Sequence, residues 1–320
     1  MSDESLLQEI AALENLEMAF YQCLQGKRSQ LSPQVAFLRM DAYLERLRNL
    51  VLDGEKYPWG EYREFYVSDP KRRLVASAPF VDRVVHRAIY NVINPLLDGR
   101  LCENSFACRQ GKGNARAVIK LYEILRTTPD RYVVKLDVRK CFASVHHGRL
   151  LGKLFSYLPD DSCAGLFKGL LKSHPDCRIG VGLPLGNLTS QIFTNFYLHD
   201  LDDFLMEQLG GRYLRYMDDM ILICSNLEHA RMLVDEVIRR AKIEKLKFPS
   251  RKRLWLGKEP VPFLGFLVGA DFIRPLNRNR RRVHRKINEK VKRGALPSEV
   301  AQSILSYEAW MSYPLRKMNM

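Results

Sequence analysis

Three acidic residues are the clearest candidates for chemistry in this sequence. Asp218 and Asp219 stand side by side in LRYMDDMILI, between two apolar runs that predict a buried β-hairpin. Asp137 closes the short apolar strand YVVKLD, where a buried acid is costly unless it is paired or bound to a metal. Adjacent carboxylates raise one another's pKa unless a cation offsets them. Carboxylates that converge from separate strands are what a two-metal phosphoryl-transfer site requires.

Each of these acids also has an ordinary explanation. Aspartate is common in hairpin turns that face solvent, and a lone strand-end aspartate often caps a helix or forms a salt bridge. Two neighbouring antiparallel strands would bring Asp137 to the Asp218–Asp219 pair. Because the chain offers no other catalytic constellation and carries a large positive charge, we expect a metal site at these acids.

The composition favours a nucleic-acid partner. Lys and Arg number 51 against 36 acidic residues in a chain of 320, a formal charge of +15, and such an excess is typical of proteins that bind polyanions. No apolar run approaches the roughly 20 residues that span a bilayer, and the first residues lack the pattern of a signal peptide. The seven cysteines include no CxxC pair. These features predict a cytoplasmic protein with no membrane partner.

The elements that must position the acids form an α+β pattern with a helical tail. A capping box of Ser5 and Gln8 predicts the start of the first helix. Hydrophobic periodicity predicts helices at 5–24, 33–52, 81–97, 115–127, most of 147–172, 190–208, 227–244, 279–293 and 298–312. Alternation predicts a hairpin within 61–80 that turns at Ser68-Asp69-Pro70, a strand at 132–138, the hairpin that carries Asp218, and one strand at 262–269, PFLGFLVG.

Five segments together resemble the reverse transcriptases, in that family's order and over roughly residues 55–312. SDPKRRLVASAP resembles the fingers hairpin, SFACRQGKGNARAV the segment before the first palm strand, KLDVRKCF and YMDD the two catalytic motifs, and PFLGF the strand near the primer end. The resemblance implies a right-hand polymerase fold with fingers, a palm that carries an antiparallel sheet, and a helical thumb. It implies an N-terminal helical extension at 1–54, fingers at 55–131, a palm at 132–269 with an inserted fingers part at about 147–190, and a thumb at 270–320.

By this resemblance, Asp137 and Asp218 hold two Mg²⁺ ions together with the backbone carbonyl of Val138, with Mn²⁺ as the alternative ion. One ion lowers the pKa of the primer 3′-hydroxyl and the other stabilises the leaving pyrophosphate. Asp219 lies beside the site and tunes the metals. The resemblance places these residues at the incoming dNTP: Arg72, Arg73, Phe142, Leu185, Gly186, Gln191, Met217 and Lys252.

Some of these roles have alternatives. Either Arg72 or Arg73 clamps the triphosphate, unless this basic run is only a solvated strand face. Phe142 is either a gate that excludes a 2′-hydroxyl or a core aromatic residue. Lys252 resembles the proton donor to pyrophosphate.

A basic tail predicts contact with the template, primer and product. RPLNRNRRRVHRKINEKVKRG has basic residues on most faces of a helix and a narrow apolar stripe of Val283, Ile287 and Val291. A helix that packs along one seam and shows cations elsewhere suits a duplex backbone. The expected partners are a template RNA, a DNA or RNA primer and the cDNA. The candidate contact residues are Arg109, Lys112, Tyr216, Arg278, Arg281, Arg285 and Lys286.

One loop departs from the usual sequence of the family and resembles one group of reverse transcriptases in particular. Most reverse transcriptases carry Gln-Gly-x-x-x-Ser-Pro in the loop at the nucleotide, whereas here Leu185 replaces the Gln and Gln191 replaces the Pro. This pattern resembles the bacterial or phage-encoded reverse transcriptases of diversity-generating retroelements, which copy a template RNA with frequent errors at adenines. A chain that ends just after the thumb also suits them, and the resemblance implies a small basic accessory protein. Leu185 cannot offer the polar contact of a Gln, although it is equally compatible with neutral packing.

Other functions remain open alternatives. Another bacterial reverse transcriptase, phage-defence or retron-like, would share the active site but differ in template and product. A non-catalytic nucleic-acid-binding protein is expected to have lost one of the three acids, and all three are present. A palm-fold nucleotide cyclase would lack the basic fingers and thumb.

Overall fold

The computed structural model describes residues 4–25, 40–68, 72–249 and 253–318. Its helices are α1 Leu6–Ala11, α2 Leu13–Leu24, α3 Met40–Leu52, α4 Phe80–Arg100, α5 Asn114–Thr127, α6 Cys141–Ser144, α7 His147–Tyr157, α8 Ala164–Lys172, α9 Leu188–Tyr197, α10 His199–Leu209, α11 Leu227–Ile243, α12 Asn277–Lys292 and α13 Pro297–Met318. Its strands are β1 Arg63–Ser68, β2 Arg72–Ser77, β3 Tyr132–Asp137, β4 Tyr213–Tyr216, β5 Asp219–Cys224, β6 Arg253–Leu256, β7 Val261–Phe263, β8 Phe266–Val268 and β9 Ile273–Pro275.

Contacts divide the chain into two units, each built from three stretches. The first unit comprises Met1–Leu101, Val138–Leu201 and Arg239–Lys247, and the second comprises Cys102–Asp137, Asp202–Ile238 and Phe248–Met320. The fingers, palm and thumb boundaries are a separate division and stay predictions.

The first unit contains most of the helices and the β1–β2 hairpin. The hairpin is antiparallel, with Ser68 opposite Arg72, and the predicted turn residues Asp69 and Pro70 lie outside the described residues. The predicted capping box is confirmed, because the Ser5 side chain accepts the Gln8 amide while the Gln8 side chain accepts the Ser5 amide. The predicted helix at 5–24 is two helices, because Ala12 adopts an extended ψ of 136° between them.

The second unit is organised around a four-stranded antiparallel sheet in the order β4-β5-β3-β6. Side chains alternate between the faces of a strand, and one face of this sheet packs on the amphipathic helix α5. Their shared core includes Leu121, Leu125, Val133, Leu214 and Ile221. This core fixes the register of the strands that carry the acids, since a shift of one residue would expose every apolar side chain in it.

The prediction of one strand at 262–269 is wrong. The segment folds as a hairpin of β7 and β8, with Leu264 and Gly265 at positive φ angles of 46° and 92° in the turn. Positive φ at both turn residues is the requirement of a type I′ hairpin turn. On the strand that follows, Phe266 packs against Trp310 of α13, with ring centroids 4.8 Å apart.

Two further helical predictions need correction. The predicted helix at 190–208 is interrupted at Leu198, which separates α9 from α10. The apolar stripe expected along α12 is not a buried seam, because none of the residues of this helix is buried and Val291 is 56% exposed. Among the described residues, no helix has both the length and the apolar character needed to cross a membrane.

Candidate active site

The sheet of the second unit places the three acids at one end of two paired strands. In the β3–β5 register Asp137 lies opposite Asp219. Tyr216 of β4 also lies opposite Asp219, which leaves Met217 and Asp218 as a two-residue turn. The backbone pairing of β3, β4 and β5 therefore brings Asp137 to the Asp218–Asp219 pair, although a long stretch of sequence separates them.

Asp218 is under electrostatic strain. Its pKa is raised from 3.8 to about 6, chiefly because burial disfavours the charged form and then because the Asp137 carboxylate repels it. The two side chains are within hydrogen-bond reach of each other, and the Asp219 charge adds a smaller repulsion. Asp137 and Asp218 thus form a pair in which a proton or a cation relieves the repulsion.

Asp219 has a different partner. Lys135 Nζ donates to Asp219 Oδ2 at 2.8 Å, and both side chains are largely shielded from solvent. Lys135 lies two residues before Asp137 on β3, so the two side chains project from the same face of the strand. Sequence reasoning missed Lys135, although this same alternation could have found it.

The expectation that Asp137 is a buried acid is wrong. Asp137 is exposed, since it is the last residue of β3, while Val133, Val134 and Leu136 before it are buried. The desolvated acid is Asp218, which lies in the turn.

The donors present in the second unit suit a hard divalent cation. Asp137 and Asp218 offer carboxylate oxygens close enough to repel each other, which is the arrangement that bound Mg²⁺ or Mn²⁺ relieves. Asp219 is neutralised by Lys135 and is less available as a ligand. In the first unit, Glu64, His174 and Asp176 also offer ligand atoms within 4.8 Å of one another. There, however, His174 already pairs with Glu64 at 3.1 Å and accepts the Asp176 amide.

In the first unit, hydrogen bonds connect the predicted nucleotide loop to the neighbouring elements. The Leu185 carbonyl accepts the Ala76 amide of β2 at 2.8 Å, and the Phe142 carbonyl accepts the Leu183 amide at 2.8 Å. The Asn187 side chain donates to the Tyr62 hydroxyl at 2.7 Å. The loop with Leu185, the β1–β2 hairpin and the helix with Phe142 are therefore held together.

Gly186 permits the close approach of this loop to β2. Its φ is +136°, and a Cβ here would collide with the carbonyl oxygen of Ala76 and lie 3.2 Å from Cγ1 of Val75. Only glycine satisfies both constraints. Gln191 lies one turn into α9 and is half-buried.

The two candidate triphosphate clamps face different surroundings. The Arg72 guanidinium stacks on the Tyr66 ring, 3.8 Å from its centroid. Arg73 projects from the opposite face of β2, the face that it shares with Val75. Val75 is the residue that reaches Gly186. Both arginines are exposed.

The predicted nucleic-acid contacts lie in several settings. The Arg109 guanidinium donates to the carbonyls of Cys102 and Ser105, and Lys112 donates to the Glu103 carbonyl, so both also shape their own loop. Tyr216 packs against the core of the second unit. The exposed candidates on α12 are Arg278, Arg281, Arg285 and Lys286.

Two remaining candidates complete the set. Val138 follows Asp137 directly, and its side chain is buried. Lys252 lies outside the described residues, so its role stays a prediction.

Comparison with known proteins gives matches by sequence and by fold. The sequence profile described as "Reverse transcriptase (RNA-dependent DNA polymerase)" matches residues 68–268. Protein YkfC of Escherichia coli is 25% identical over 286 residues, which cover 75% of this chain and 74% of that protein. The group II intron-encoded protein LtrA of Lactococcus lactis is 22% identical over 172 residues, 51% of this chain and 28% of that protein.

The putative COX1/OXI3 intron 1 protein of Saccharomyces cerevisiae is 21% identical over 226 residues, 66% of this chain but 27% of that protein. The chain thus spans about a quarter of that relative. Telomerase from Candida albicans, solved with a fragment of telomeric RNA, superposes with a TM-score of 0.51 at 13% identity, over 69% of this chain and 47% of that chain. This likeness confirms the right-hand polymerase fold.

Proposed function

Because the chain belongs to the reverse transcriptase (RNA-dependent DNA polymerase) family, we propose that it is an RNA-directed DNA polymerase that extends a primer on a template RNA with dNTPs. The observation that carries the proposal is the close Asp137–Asp218 pair, in which burial and then repulsion by Asp137 raise the pKa of Asp218. Two carboxylates held this close, one of them partly desolvated, destabilise a protein that does not use them.

The residues of the site have separate roles in binding a divalent metal. Asp137 and Asp218 supply the oxygen ligands, and the Val138 carbonyl follows directly after Asp137 in the chain. Lys135 neutralises Asp219, which keeps the third acid from adding to the repulsion. When bound, Mg²⁺ or Mn²⁺ supplies charge that activates the primer 3′-hydroxyl and stabilises the leaving pyrophosphate.

Arg73 is our candidate for the triphosphate clamp. Arg72 is already stacked on Tyr66, whereas Arg73 lies on the face of β2 that reaches the Gly186 loop. A guanidinium presents a planar fork that binds phosphate oxygens in pairs. Phe142 is the gate against ribonucleotides, and the exposed cations of α12 contact the template–primer duplex.

Primer extension tests this function. A labelled primer on a mixed-sequence RNA template is incubated with dNTPs and Mg²⁺, and the wild type runs beside Asp218→Asn. The matched control is Asp271→Asn, an exposed aspartate in the loop before β9. We expect synthesis by the wild type and the control and none by Asp218→Asn. Synthesis that survives Asp218→Asn would show that the site is wrong.

We further propose that the polymerase belongs to a diversity-generating retroelement and misincorporates opposite template adenines. Leu185 supports this, because its side chain cannot make the polar contact that the family's Gln offers to the nucleotide. A wrong pairing geometry is then penalised less. The proposal includes the small basic accessory protein that assists template binding.

Sequencing the cDNA from the same reactions tests the retroelement assignment. With the accessory protein present, we expect errors concentrated at template adenines in the wild type and fewer in Leu185→Gln. Accurate synthesis by the wild type would refute the retroelement assignment and favour another bacterial reverse transcriptase, while the polymerase function would stand.

A further inference from the structure

A buried ion pair lies beneath the turn that carries Asp218. Arg215 of β4 and Asp202 of α10 both have fully buried side chains. Arg215 donates from Nε to Asp202 Oδ1 at 2.7 Å and from Nη2 to Asp202 Oδ2 at 2.6 Å. The Tyr213 hydroxyl also donates to Asp202 Oδ1, at 2.6 Å. This bidentate geometry compensates for the loss of water around both charges.

The guanidinium also makes a bond to the turn itself. Arg215 Nη1 donates to the Met217 carbonyl at 3.0 Å. Met217 has a φ of +55°, at the first central position of the turn, where glycine is the usual residue in a type II′ turn. Holding a side chain other than glycine in this region costs about 1–3 kcal/mol. The surrounding structure must therefore hold the turn.

The bond reaches Asp218 through the backbone. The Met217 carbonyl and the Asp218 amide belong to one planar peptide unit, so a donor that fixes this carbonyl fixes the orientation from which the Asp218 side chain leaves the chain. The main chain of Arg215 is itself anchored, because its amide donates to the Asn104 carbonyl and its carbonyl accepts the Phe106 amide, both at 2.9 Å.

We propose that Arg215 is a positioning residue of the active site: anchored by Asp202, its guanidinium holds the Met217 carbonyl and thereby sets the place of Asp218 beside Asp137. The inference rests on the proposed polymerase function. It assigns the ion pair a task beyond stability, because Nε and Nη2 of Arg215 donate to Asp202 while Nη1 donates to the Met217 carbonyl of the turn.

Two variants and one control separate positioning from stability. Arg215→Lys keeps a positive charge beside Asp202 but loses the fork and the reach to Met217. The triple variant Asp202→Leu, Tyr213→Phe, Arg215→Met replaces the pair by apolar side chains, an exchange that is often neutral or stabilising for the fold. Tyr213→Phe alone removes a bond to Asp202 and leaves Arg215 and Met217 in contact, so it is the matched control.

The full chain is titrated with Mn²⁺ alone, and free Mn²⁺ is measured by electron paramagnetic resonance. Primer-extension rates and the KM for dNTP are measured on the same samples, after the melting temperature has shown that each variant is folded. We expect Mn²⁺ binding about tenfold weaker and a kcat about 10- to 100-fold lower in both Arg215 variants, since small displacements of reacting groups have effects of this size. The KM for dNTP should stay within about twofold of wild type, because the contact that both variants lose is to the backbone carbonyl of Met217 and not to a side chain placed at the nucleotide.

Wild-type Mn²⁺ binding and kcat in a folded Arg215 variant would overturn the proposal. Failure of both variants to fold would also overturn it, because Arg215 would then serve the stability of the unit. Neither result touches the proposed polymerase function, which depends on the wild type and Asp218→Asn. Tyr213→Phe should match the wild type in both readouts, and a loss there equal to that of Arg215→Lys would contradict the role given to the Met217 contact.

Discussion

Removing the charge of Asp218 should stabilise the metal-free protein even though it abolishes activity. The pKa of Asp218 is raised from 3.8 to about 6 by burial and by the neighbouring Asp137 carboxylate. At neutral pH the folded protein must nevertheless hold this group largely ionised. A tenfold change in an acid dissociation constant corresponds to about 1.4 kcal/mol, so the ionised side chain destabilises the fold by up to about 3 kcal/mol. Asp218→Asn removes that penalty.

The stabilisation by Asp218→Asn should depend on pH. The folded state binds the Asp218 proton more tightly than the unfolded chain, so the carboxyl group contributes stability below about pH 4, and this contribution disappears as the pH rises through about 6. The advantage of Asp218→Asn over the wild type should therefore be largest above about pH 7 and vanish near pH 4.

Thermal unfolding in EDTA at several pH values measures the difference in stability between Asp218→Asn and the wild type. At pH 7.5 Asp218→Asn should melt several degrees above the wild type, whereas Asp219→Asn, which loses the ion pair with Lys135, should melt lower by the equivalent of about 1–3 kcal/mol. Addition of Mg²⁺ should stabilise the wild type and leave Asp218→Asn unchanged. If Asp218→Asn melts at or below the wild type in EDTA at pH 7.5, the carboxylate pair is not strained and our reasoning fails.

Three further predictions concern the first unit. Arg73→Ala should raise the KM for dNTP by about tenfold or more, the size expected for loss of a charge-assisted phosphate contact. Arg72→Ala should raise this KM less. If steady-state kinetics show the larger increase for Arg72→Ala, Arg72 is the clamp. Gly186→Ala should lower the melting temperature and the activity together, because its Cβ collides with the Ala76 carbonyl; an unchanged melting temperature would contradict this. Phe142→Val should increase ribonucleotide incorporation relative to dNTP in a competition assay, and unchanged discrimination would leave Phe142 a packing residue.

The sequence was sufficient to predict most of the helices and the meeting of the acids, but not the strands β6 and β9. The apolar alternation of YVVKLD and of the runs around Asp218 and Asp219 specifies strands with one buried face, and a slip of one residue would turn that face to solvent. Asp137 and Asp219 are paired in that register. By contrast, PFLGFLVG looks like one strand because its pattern is continuous, and only the positive φ angles of Leu264 and Gly265 show the turn.

Features that depend on which side chains meet in three dimensions were not predictable in the same way. That Lys135 neutralises Asp219 follows from strand alternation once the register is known. The Asp202–Arg215 pair is harder, because Asp202 lies on a helix whose packing no local pattern specifies. The apolar stripe of α12 is half-buried at Val283 and Ile287 and exposed at Val291, since periodicity alone does not show how completely a partner surface covers a stripe.

In the proposed function the three acids have different roles because their neighbours differ. Lys135 cancels the charge of Asp219, so the uncompensated negative charge of the site lies on Asp137 and Asp218. Two carboxylates balance the charge of one divalent cation, and a second cation would leave an excess positive charge in a partly desolvated place. The triphosphate of a dNTP carries the missing negative charge, and Mg²⁺ is commonly bound by one or two carboxylates together with substrate phosphates. In the proposed function, Asp137 and Asp218 would hold one divalent cation, and the phosphates of the nucleotide would supply the remaining charge that a second cation requires.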